Sequence, residues 1–504
     1  MKNYAVILAA GIGSRLYPLT ENYPKSLVKV NGREILDYQI QGYLKAGIEE
    51  NNIYIVTGYK HEMIAKYLQN NYPKVNEIYS PDYLTTNNMY SLYLGLNEIF
   101  KSSNDFRHLF INNADCLYDE VLMKDFVNCS FENAIATEMG VYIDESMKVV
   151  QRKDTSLVNI AKTITETDSS GVSVDLYKYS LKTARRLYEI VKDYIEVKKD
   201  LKQWTEVAFP ILFETEKVFP YDIKHKKWVE VDNNDDLALA DKLFSNFDIK
   251  TKKLLICDMD GTLYVGKNPV QGSIDFIKNI TGVKTYFLTN NTSKIPNDYV
   301  ERLRSFGIET SEKDILTPLS VLETYLKEKN YTSVYMVANK KVLDYMTSRM
   351  SDVTFEFDKE KNQAVILTYD TEIEYTKLKN MCDLLNNTDV EYITTHTDVF
   401  CPSELGPIPD IGSFIKLIEV TNQRVPDIIL GKPSLNLVKS VLDKYLPNEI
   451  AIIGDRLYTD KKLADNMTSD FVCVLSGETT RLDVQNFEGK YPAIVVKTLK
   501  ELNV

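Results

Sequence analysis

A glycine loop near the start of this 504-residue chain has the residue types of a phosphate-binding site. Gly11 and Gly13 come directly after an apolar run, Arg15 follows them, and Lys25 lies shortly beyond in a Pro-Lys-Ser-Leu segment. Glycines let backbone N–H groups approach a phosphate closely, and nearby cations neutralise its charge. The loop is therefore predicted to bind a polyphosphate, with Arg15 and Lys25 supplying positive charge.

A pair of aspartates in the second half, Asp258 and Asp260, has the spacing of a phosphoryl-transfer site. The pair follows another apolar run, and a Gly-Thr turn comes directly after it. In-line attack on phosphorus needs a carboxylate held beside a metal ion and a second acid that protonates the leaving oxygen. We expect Asp258 to be the nucleophile and Asp260 the general acid and base.

Further polar clusters in the second half complete this set in chain order. Thr289, Asn290 and Asn291 follow a second apolar run, and their side chains are predicted to hydrogen-bond the phosphoryl oxygens. Lys432, directly after a glycine, supplies a cation for the developing charge. The carboxylates expected to hold Mg²⁺ are Asp258, Asp260, Asp455 and Asp460.

The elements that must position these residues follow the pattern of α/β folds. Both halves alternate short apolar runs with longer amphipathic stretches, which favours mostly parallel sheets. In the first half the predicted strands are 4–8, 53–57 and 108–112, with helices at 35–46 and 62–70. In the second half the predicted strands are 254–258, 285–289, 364–367 and 450–453.

The boundary between the halves is predicted near residues 244–253. There the helical pattern of 237–244 ends, a polar stretch follows, and a new apolar run begins. We therefore expect one domain over residues 1–247 and another over 253–504.

The charge and the amino-acid composition of the chain exclude several classes of binding partner. The net charge of −12 argues against nucleic-acid binding, because no basic field is available to neutralise a phosphate backbone. Six scattered cysteines without a Cys-x-x-Cys pair fit a reducing compartment better than a disulfide framework or a zinc site. No apolar run reaches the roughly 18 residues of a membrane span. We expect a cytoplasmic enzyme of small molecules, with no nucleic-acid or membrane partner and with homo-oligomer formation left open.

The first half resembles the sugar-phosphate nucleotidyltransferase superfamily over about residues 1–245, because its opening motif reads Gly-x-Gly-Ser-Arg followed by Pro-Lys. The segments 87–92 (Asn-Asn-Met-Tyr-Ser-Leu) and 228–232 (Trp-Val-Glu-Val-Asp) are similar to those of bacterial choline-phosphate cytidylyltransferases. The resemblance implies CTP as substrate, with Arg15 and Lys25 stabilising charge on the triphosphate and the attacking phosphate. The nucleotide-binding residues it implies are Leu8, Ala10, Gly11, Gly13, Ser14, Asn87, Asn88 and Ser91.

Nucleotidyl transfer needs a divalent metal, usually Mg²⁺, and carboxylates from separate strands are expected to hold it. Asp115 follows the predicted strand 108–112, and Asp232 is placed on a second predicted strand beyond Trp228. Both match metal positions of the family that the first half resembles. Glu230 is predicted to be a third or supporting ligand.

The sequence identifies the residues of the acceptor pocket less completely than those of the nucleotide and metal sites. Lys162 matches a basic position near the acceptor phosphate, and Trp204 and Glu206 are expected to line the site. The family's Ser-Gly-x-x-x-Gly strand occurs at 170–175, but Asp175 replaces its second glycine and reshapes the pocket. Because no aromatic cage for a quaternary ammonium is evident, choline phosphate and a glycerol phosphate-like polyol phosphate both stay open.

The second half resembles the haloacid dehalogenase superfamily over about residues 253–500, in the branch of capped phosphoglycolate, glycerol-phosphate and nitrophenyl-phosphate phosphatases. The segments 288–291, 375–378 and 454–460 carry this resemblance. It implies a cap inserted between Asn291 and Lys432, with its core near 330–400. His396, which departs from the family's Thr-Asn-x-Asp stretch, is expected at the mouth of the cap, in contact with substrate or solvated.

Together, the two resemblances imply Rossmann-like α/β domains in tandem, the second with an inserted α/β cap. They imply a bifunctional enzyme: a Mg²⁺-dependent cytidylyltransferase that releases pyrophosphate, joined to a Mg²⁺-dependent phosphatase that works through an aspartyl-phosphate. A CDP-activated precursor for surface or capsule polysaccharide would be the product. The alternative is a sugar-phosphate nucleotidyltransferase that uses UTP or dTTP, with the second half a sensing or scaffold module.

Overall fold

Apolar runs bounded by polar clusters form the strands of two separate main sheets. In the computed structural model, which describes residues 2–401, 406–442 and 444–502, the chain divides into two compact units, Met1–Ser245 and Asn246–Val504. Each unit buries apolar clusters of its own. The predicted α/β fold class is confirmed.

The first unit is built on a nine-stranded sheet with Asn3–Ala9 at its centre. This strand pairs in parallel with Ile53–Thr57 on one side and with His108–Asn113 on the other. Gly171–Ser180 pairs antiparallel with His108–Asn113. The remaining strands of the sheet are Asn76–Tyr79, Ala134–Met139, Lys148–Gln151, Leu157–Ala161 and Phe219–Asp222.

Amphipathic segments between these strands form helices. The helices predicted at 35–46 and 62–70 are confirmed, with their ends shifted slightly, as Ile35–Lys45 and His61–Asn71. The asparagine before Asn88–Ser102 caps that helix, because its side chain accepts a hydrogen bond from the Asn88 N–H. The other longer helices of this unit are Glu120–Val127, Leu181–Lys192, Ala208–Thr215 and Asn234–Phe244.

The second unit contains a six-stranded sheet whose neighbouring strands are all parallel. Its central strands are Leu254–Asp258 and Ile450–Gly454. The outer strands are Lys284–Leu288, Ile315–Leu316, Asp470–Val474 and Ile494–Val496. Helices of this part are Gln271–Asn279, Pro296–Ser305, Lys439–Leu442, Lys462–Asn466 and Arg481–Asn486.

A cap with its own parallel sheet interrupts this unit. Its four strands are Val334–Val337, Ala364–Leu367, Glu391–Thr394 and Ile428–Ile429. Its helices are Pro318–Lys329, Lys340–Arg349, Tyr375–Leu385 and Ile411–Asn422. The cap core therefore extends beyond the predicted 330–400 at both ends. The last strand has only two residues, which is too short for an apolar pattern to reveal.

Within the residues that the structure describes, no helix combines the length and the apolar character needed to span a bilayer.

Candidate active sites

In the glycine loop of the first unit, the backbone of Gly13 packs closely against the side chain of Lys25. Gly13 has a φ of 69°, a left-handed conformation that glycine adopts without steric cost. A Cβ atom there would lie 2.9 Å from the Cβ of Lys25. The Thr20 hydroxyl also donates to the Gly13 carbonyl at 3.1 Å. Glycine at this position thus lets the Pro-Lys segment pack directly against the loop.

A cavity of about 310 Å³ lies beside this loop. It gathers side chains and backbone from the loop, the helix Asn88–Ser102, the strand Gly171–Ser180 and the end of the first unit. The sequence-predicted site residues that line it are Leu8, Ala10, Gly11, Gly13, Ser14, Arg15, Lys25, Asn87, Asn88, Ser91, Asp115, Lys162, Trp204, Glu206, Glu230 and Asp232. The cavity therefore brings the predicted nucleotide, metal and acceptor residues together.

Three carboxylates, Asp115, Glu230 and Asp232, form an acidic cluster in which one ligand atom of each lies within 4.8 Å of the others. A short antiparallel pairing of Cys116–Tyr118 with Trp228–Glu230 produces this proximity. Asp232 lies just beyond the second of these strands and not on it, which corrects the sequence prediction. Carboxylate oxygens are the ligands that Mg²⁺ prefers, so the donor set fits that ion.

Two cations face the acidic cluster. The Nζ of Lys25 lies 2.8 Å from both Asp115 and Asp232, and Arg15 lies 2.8 Å from Asp232. Burial by itself would lower the pKa of Lys25, but the two aspartates hold it above its ordinary value. Burial and the neighbouring Asp175, Asp115 and Asp232 raise the pKa of Glu230 to about 9. The raised pKa shows that a third negative charge beside the two aspartates is unfavourable in the free site, and a bound cation would allow Glu230 to ionise.

Asn88 connects residues that are predicted to bind the nucleotide with residues that are predicted to bind the acceptor. Its side-chain oxygen accepts a hydrogen bond of 2.8 Å from the Thr205 N–H. Thr205 begins the short 3₁₀ turn Thr205–Val207, which carries Glu206. Glu206 is only 5% exposed, whereas Trp204 is 54% exposed. Burial and the nearby Asp175 raise the pKa of Glu206 to about 8.

Asp175 also lines the cavity, and sequence reasoning did not assign it a role in the site. It is buried, and its carboxylate accepts hydrogen bonds from Asn113 at 3.0 Å and from the Tyr177 hydroxyl at 2.9 Å. Burial and Asp115 raise its pKa to about 6. The signal that pointed to it was the replacement of the family's second glycine.

The second candidate site lies at the carboxyl ends of two neighbouring parallel strands. Asp258 ends Leu254–Asp258, and Asp455 comes directly after Ile450–Gly454. Ligand atoms of these two residues and of Asp460 all lie within 4.8 Å of one another. The set differs from the prediction, because the Asp260 side chain is not part of it. Asp460, which the sequence also predicted as a ligand, lies in the π-helical turn Leu457–Lys461.

Lys432 is the cation of this second cluster. Its Nζ donates to Asp258, and to Asp460 at 2.7 Å. Burial would lower the pKa of Lys432, but these two carboxylates hold it above its ordinary value. The backbone N–H of Lys432 donates to the Asn290 side chain at 2.8 Å. Four sequence-predicted residues, Lys432, Asp258, Asp460 and Asn290, thus meet at this cluster.

The segment 289–291 lies beside the same cluster. The Thr289 hydroxyl accepts from the Asn291 N–H at 3.1 Å. The side-chain amide nitrogen of Asn290 is buried and has no hydrogen-bond partner among the described residues. An unpaired buried donor at this position is suited to an anionic oxygen.

The charged groups near Asp260 are cations, whereas Asp258 and Asp455 also face other carboxylates. Burial raises its pKa, against the opposing influence of Arg302, Lys294 and Arg456. A carboxyl group with a raised pKa keeps its proton closer to neutral pH, as a general acid requires.

The position of His396 differs from the sequence expectation of a residue at the mouth of the cap, in contact with substrate or solvated. That side chain is 0% exposed, so it is not a solvated residue of the cap mouth. Its Nε2 lies 3.1 Å from the Asp410 carboxylate. Two residues further on, Asp398 accepts from Arg456 at 2.9 Å, directly beside Asp455. The loop 396–398 thus connects the cap to the strand end that carries Asp455.

Comparison with known families separates the two halves. Residues 4–148 match the nucleotidyl transferase model. Residues 255–349 match the haloacid dehalogenase-like hydrolase model, and residues 429–502 match a HAD-hydrolase-like model.

Individual relatives align with the second half. An acid sugar phosphatase of Staphylococcus aureus is 30% identical over 246 residues, which cover 47% of this chain and 92% of that protein. A solved 4-nitrophenylphosphatase from Thermotoga maritima is 33% identical and covers 50% of this chain and 97% of its own, with a TM-score of 0.47. A glycerol phosphate phosphatase from Mycobacterium tuberculosis, solved in complex with magnesium, is 19% identical and covers 50% of this chain and 77% of its own, with a TM-score of 0.46.

Proposed function

The chain belongs to the haloacid dehalogenase-like phosphatases through its second half and carries a nucleotidyl transferase domain in its first, and from this bifunctional organisation we propose two specific reactions. The first unit transfers CMP from CTP to a small alcohol or polyol phosphate and releases pyrophosphate. The second hydrolyses a small phosphate monoester through an aspartyl-phosphate. The CDP-linked product would serve as an activated precursor for surface polysaccharide.

One observation carries the transferase proposal. The glycine loop, two cations and three clustered carboxylates line one cavity of the first unit. Nucleotidyl transfer requires these groups together, because phosphate charge must be neutralised while one phosphate attacks another.

In the first unit, Asp115, Glu230 and Asp232 would hold Mg²⁺, which would supply positive charge to stabilise the charge that develops on the phosphates. Arg15 and Lys25 are within reach of the same carboxylates and would neutralise the triphosphate and the attacking phosphate. An oxygen of the acceptor phosphate then forms a bond to the α-phosphorus while the bond to pyrophosphate breaks. CTP is supported by the likeness of the segment 87–92 to cytidylyltransferases.

In the second unit, Asp258, Asp455 and Asp460 would hold Mg²⁺, whose charge would draw the phosphate toward the nucleophile. A carboxylate oxygen of Asp258 attacks phosphorus, and the ester oxygen leaves with a proton from Asp260. Water then releases phosphate from Asp258, with Asp260 accepting the proton. Lys432 and the Asn290 amide stabilise the charge on the phosphoryl oxygens.

Two single variants test whether each unit carries out its own reaction. Asp115→Ala should abolish pyrophosphate release from CTP and glycerol phosphate, and leave nitrophenyl phosphate hydrolysis unchanged. Asp258→Asn should do the reverse. ATP, GTP, UTP and dTTP are each compared with CTP in the same assay. A preference for UTP or dTTP would refute the cytidylyl proposal, and a wild-type protein that releases no phosphate from a panel of monoesters would refute the phosphatase proposal.

A further inference from the structure

The acceptor end of the first unit's cavity contains a carboxylate in an unusual backbone conformation. Asp175 has a φ of 56°, in the left-handed region. This conformation is strained for a residue with a Cβ atom. The pairing register of Gly171–Ser180 with Ala134–Met139 shifts between Ser173 and Tyr177, so Asp175 lies within a bulge. Bulges redirect side chains, and this one places a carboxylate in the wall of the cavity.

Glu206, the second carboxyl group in this region, has one oxygen atom without a hydrogen-bond partner among the described residues. Glu206 is 5% exposed and lines the cavity, and this oxygen atom is its Oε2. Its turn is held in place by the Thr205–Asn88 hydrogen bond. A buried acceptor without a donor is unfavourable. A donor supplied by a bound molecule would remove this penalty.

The hydrogen bonds within the protein leave Asp175 and Glu206 able to accept further hydrogen bonds from a bound molecule. Asn113 and Tyr177 donate to Asp175 from the protein side, and each carboxylate oxygen can accept more than one hydrogen bond. Lys162 is exposed and interacts electrostatically with both Asp175 and Glu206. As the cation of this end of the cavity, it is suited to the acceptor's phosphate.

The cavity wall disfavours a methylated cation. Tyr83 and Trp204 are the aromatic residues among its described lining, and Trp204 is half exposed. A quaternary ammonium group is usually held by several aromatic faces and has no N–H to donate. It would leave the Glu206 Oε2 unpaired. A hydroxyl group donates one hydrogen bond and carries no charge that requires a cage.

We propose that Asp175 and Glu206 select an acceptor phosphate whose carbon chain carries hydroxyl groups, as glycerol phosphate does, and select against choline phosphate. This rests on the proposed transferase function and specifies its substrate class. The two carboxylates act as specificity residues, because they accept hydrogen bonds from the acceptor while the phosphate and metal groups remain elsewhere in the cavity.

The test uses the full chain in the Asp258→Asn background, so that the second unit does not consume the acceptor. Pyrophosphate release from CTP is measured with glycerol phosphate and with choline phosphate. We expect kcat/KM to be at least tenfold higher for glycerol phosphate. Glu206→Gln should lower kcat/KM for glycerol phosphate about 10- to 100-fold, mainly through KM, because the amide group cannot reproduce the hydrogen bonds of both carboxyl oxygens. The KM for CTP should not change.

Asp175→Gly provides the second variant, because glycine suits the left-handed backbone and the fold should be retained. It should reduce the preference for glycerol phosphate in the same way. Glu166→Gln, an exposed carboxylate on the same unit, is the matched control and should leave both acceptors unaffected. Melting temperatures of all variants exclude unfolding as the cause.

The outcomes separate the two proposals. If choline phosphate is preferred, or if both variants slow the two acceptors equally, the specificity assignment is wrong while the transferase function stands. If neither acceptor supports pyrophosphate release with any nucleoside triphosphate, the transferase proposal fails, and the specificity assignment fails with it.

Discussion

The Nζ of Lys25 lies 2.8 Å from the Oδ2 of Asp115, although the two residues are 90 positions apart in the chain. The same Nζ lies 2.8 Å from Asp232. One ammonium group therefore joins the segment after the glycine loop to both aspartates of the acidic cluster. Because these contacts are largely buried, removing one partner should affect stability as well as chemistry.

Replacing Lys25 with alanine should reduce pyrophosphate release at least about 100-fold, because a fixed positive charge next to the phosphates is lost. Hydrolysis of nitrophenyl phosphate by the second unit should be unchanged. Lys74→Ala, which removes an exposed lysine of the same unit, is the control. Transferase activity within a factor of a few of the wild-type value would contradict the role assigned to Lys25.

Gly13→Ala should lower the melting temperature of the first unit. A Cβ atom would lie 2.9 Å from the Lys25 Cβ, and the left-handed φ adds about 1 kcal/mol of strain. Gly11→Ala is the comparison for stability alone, because a Cβ there meets no atom within 4 Å. Thermal unfolding followed by circular dichroism should show a larger decrease for Gly13→Ala. Equal decreases would mean that the close approach to Lys25 does not matter.

Lys432→Met should destabilise the second unit and abolish phosphate release. The substitution leaves Asp258 and Asp460 buried without their shared cation, and loss of one partner from a buried ion pair costs about 3–5 kcal/mol. Urea denaturation at pH 8 measures the loss. Lys439→Met, at an exposed lysine of the same unit, should be nearly neutral. Added Mg²⁺ should recover part of the stability of Lys432→Met, since the ion would replace the missing positive charge.

Glu206 should make the free protein less stable as the pH rises. The folded protein holds this proton up to a pKa of about 8, whereas an unfolded glutamate releases it near its ordinary value. The unfolded state therefore loses the proton first, and folding stability decreases between these two values and levels off above the higher one. Below both values the group contributes no pH dependence.

Glu206→Gln removes this contribution. The variant should melt at least about 2 °C above the wild type at pH 8.5, if the effect reaches about 1 kcal/mol, and the difference should shrink toward pH 5. Melting curves at both pH values, with Glu166→Gln as control, make the comparison. A difference that is the same at both values would show that Glu206 is ionised in the folded protein.

Local sequence patterns were sufficient for the central strands and for the groups that follow them. Ile53–Thr57 and Leu254–Asp258 begin and end at the predicted residues, because a strand buried in a parallel sheet is a continuous apolar run with polar boundaries. The same pattern indicated that Asp258 stands at a carboxyl strand end, and the glycine loop indicated where Lys25 would be required.

Which carboxylates meet, and which are buried, depended on the tertiary structure. The Asp260 side chain lies outside the cluster of Asp258, Asp455 and Asp460, and His396 is buried with its Nε2 3.1 Å from Asp410. The proximity of Asp175 and Glu206 requires the bulged strand and the distant 3₁₀ turn to meet at one cavity. Sequence by itself determined the elements and the chemistry at their ends, since both depend on neighbouring residues. Burial and charge pairing depend on contacts between distant segments, and these form only when the chain has packed.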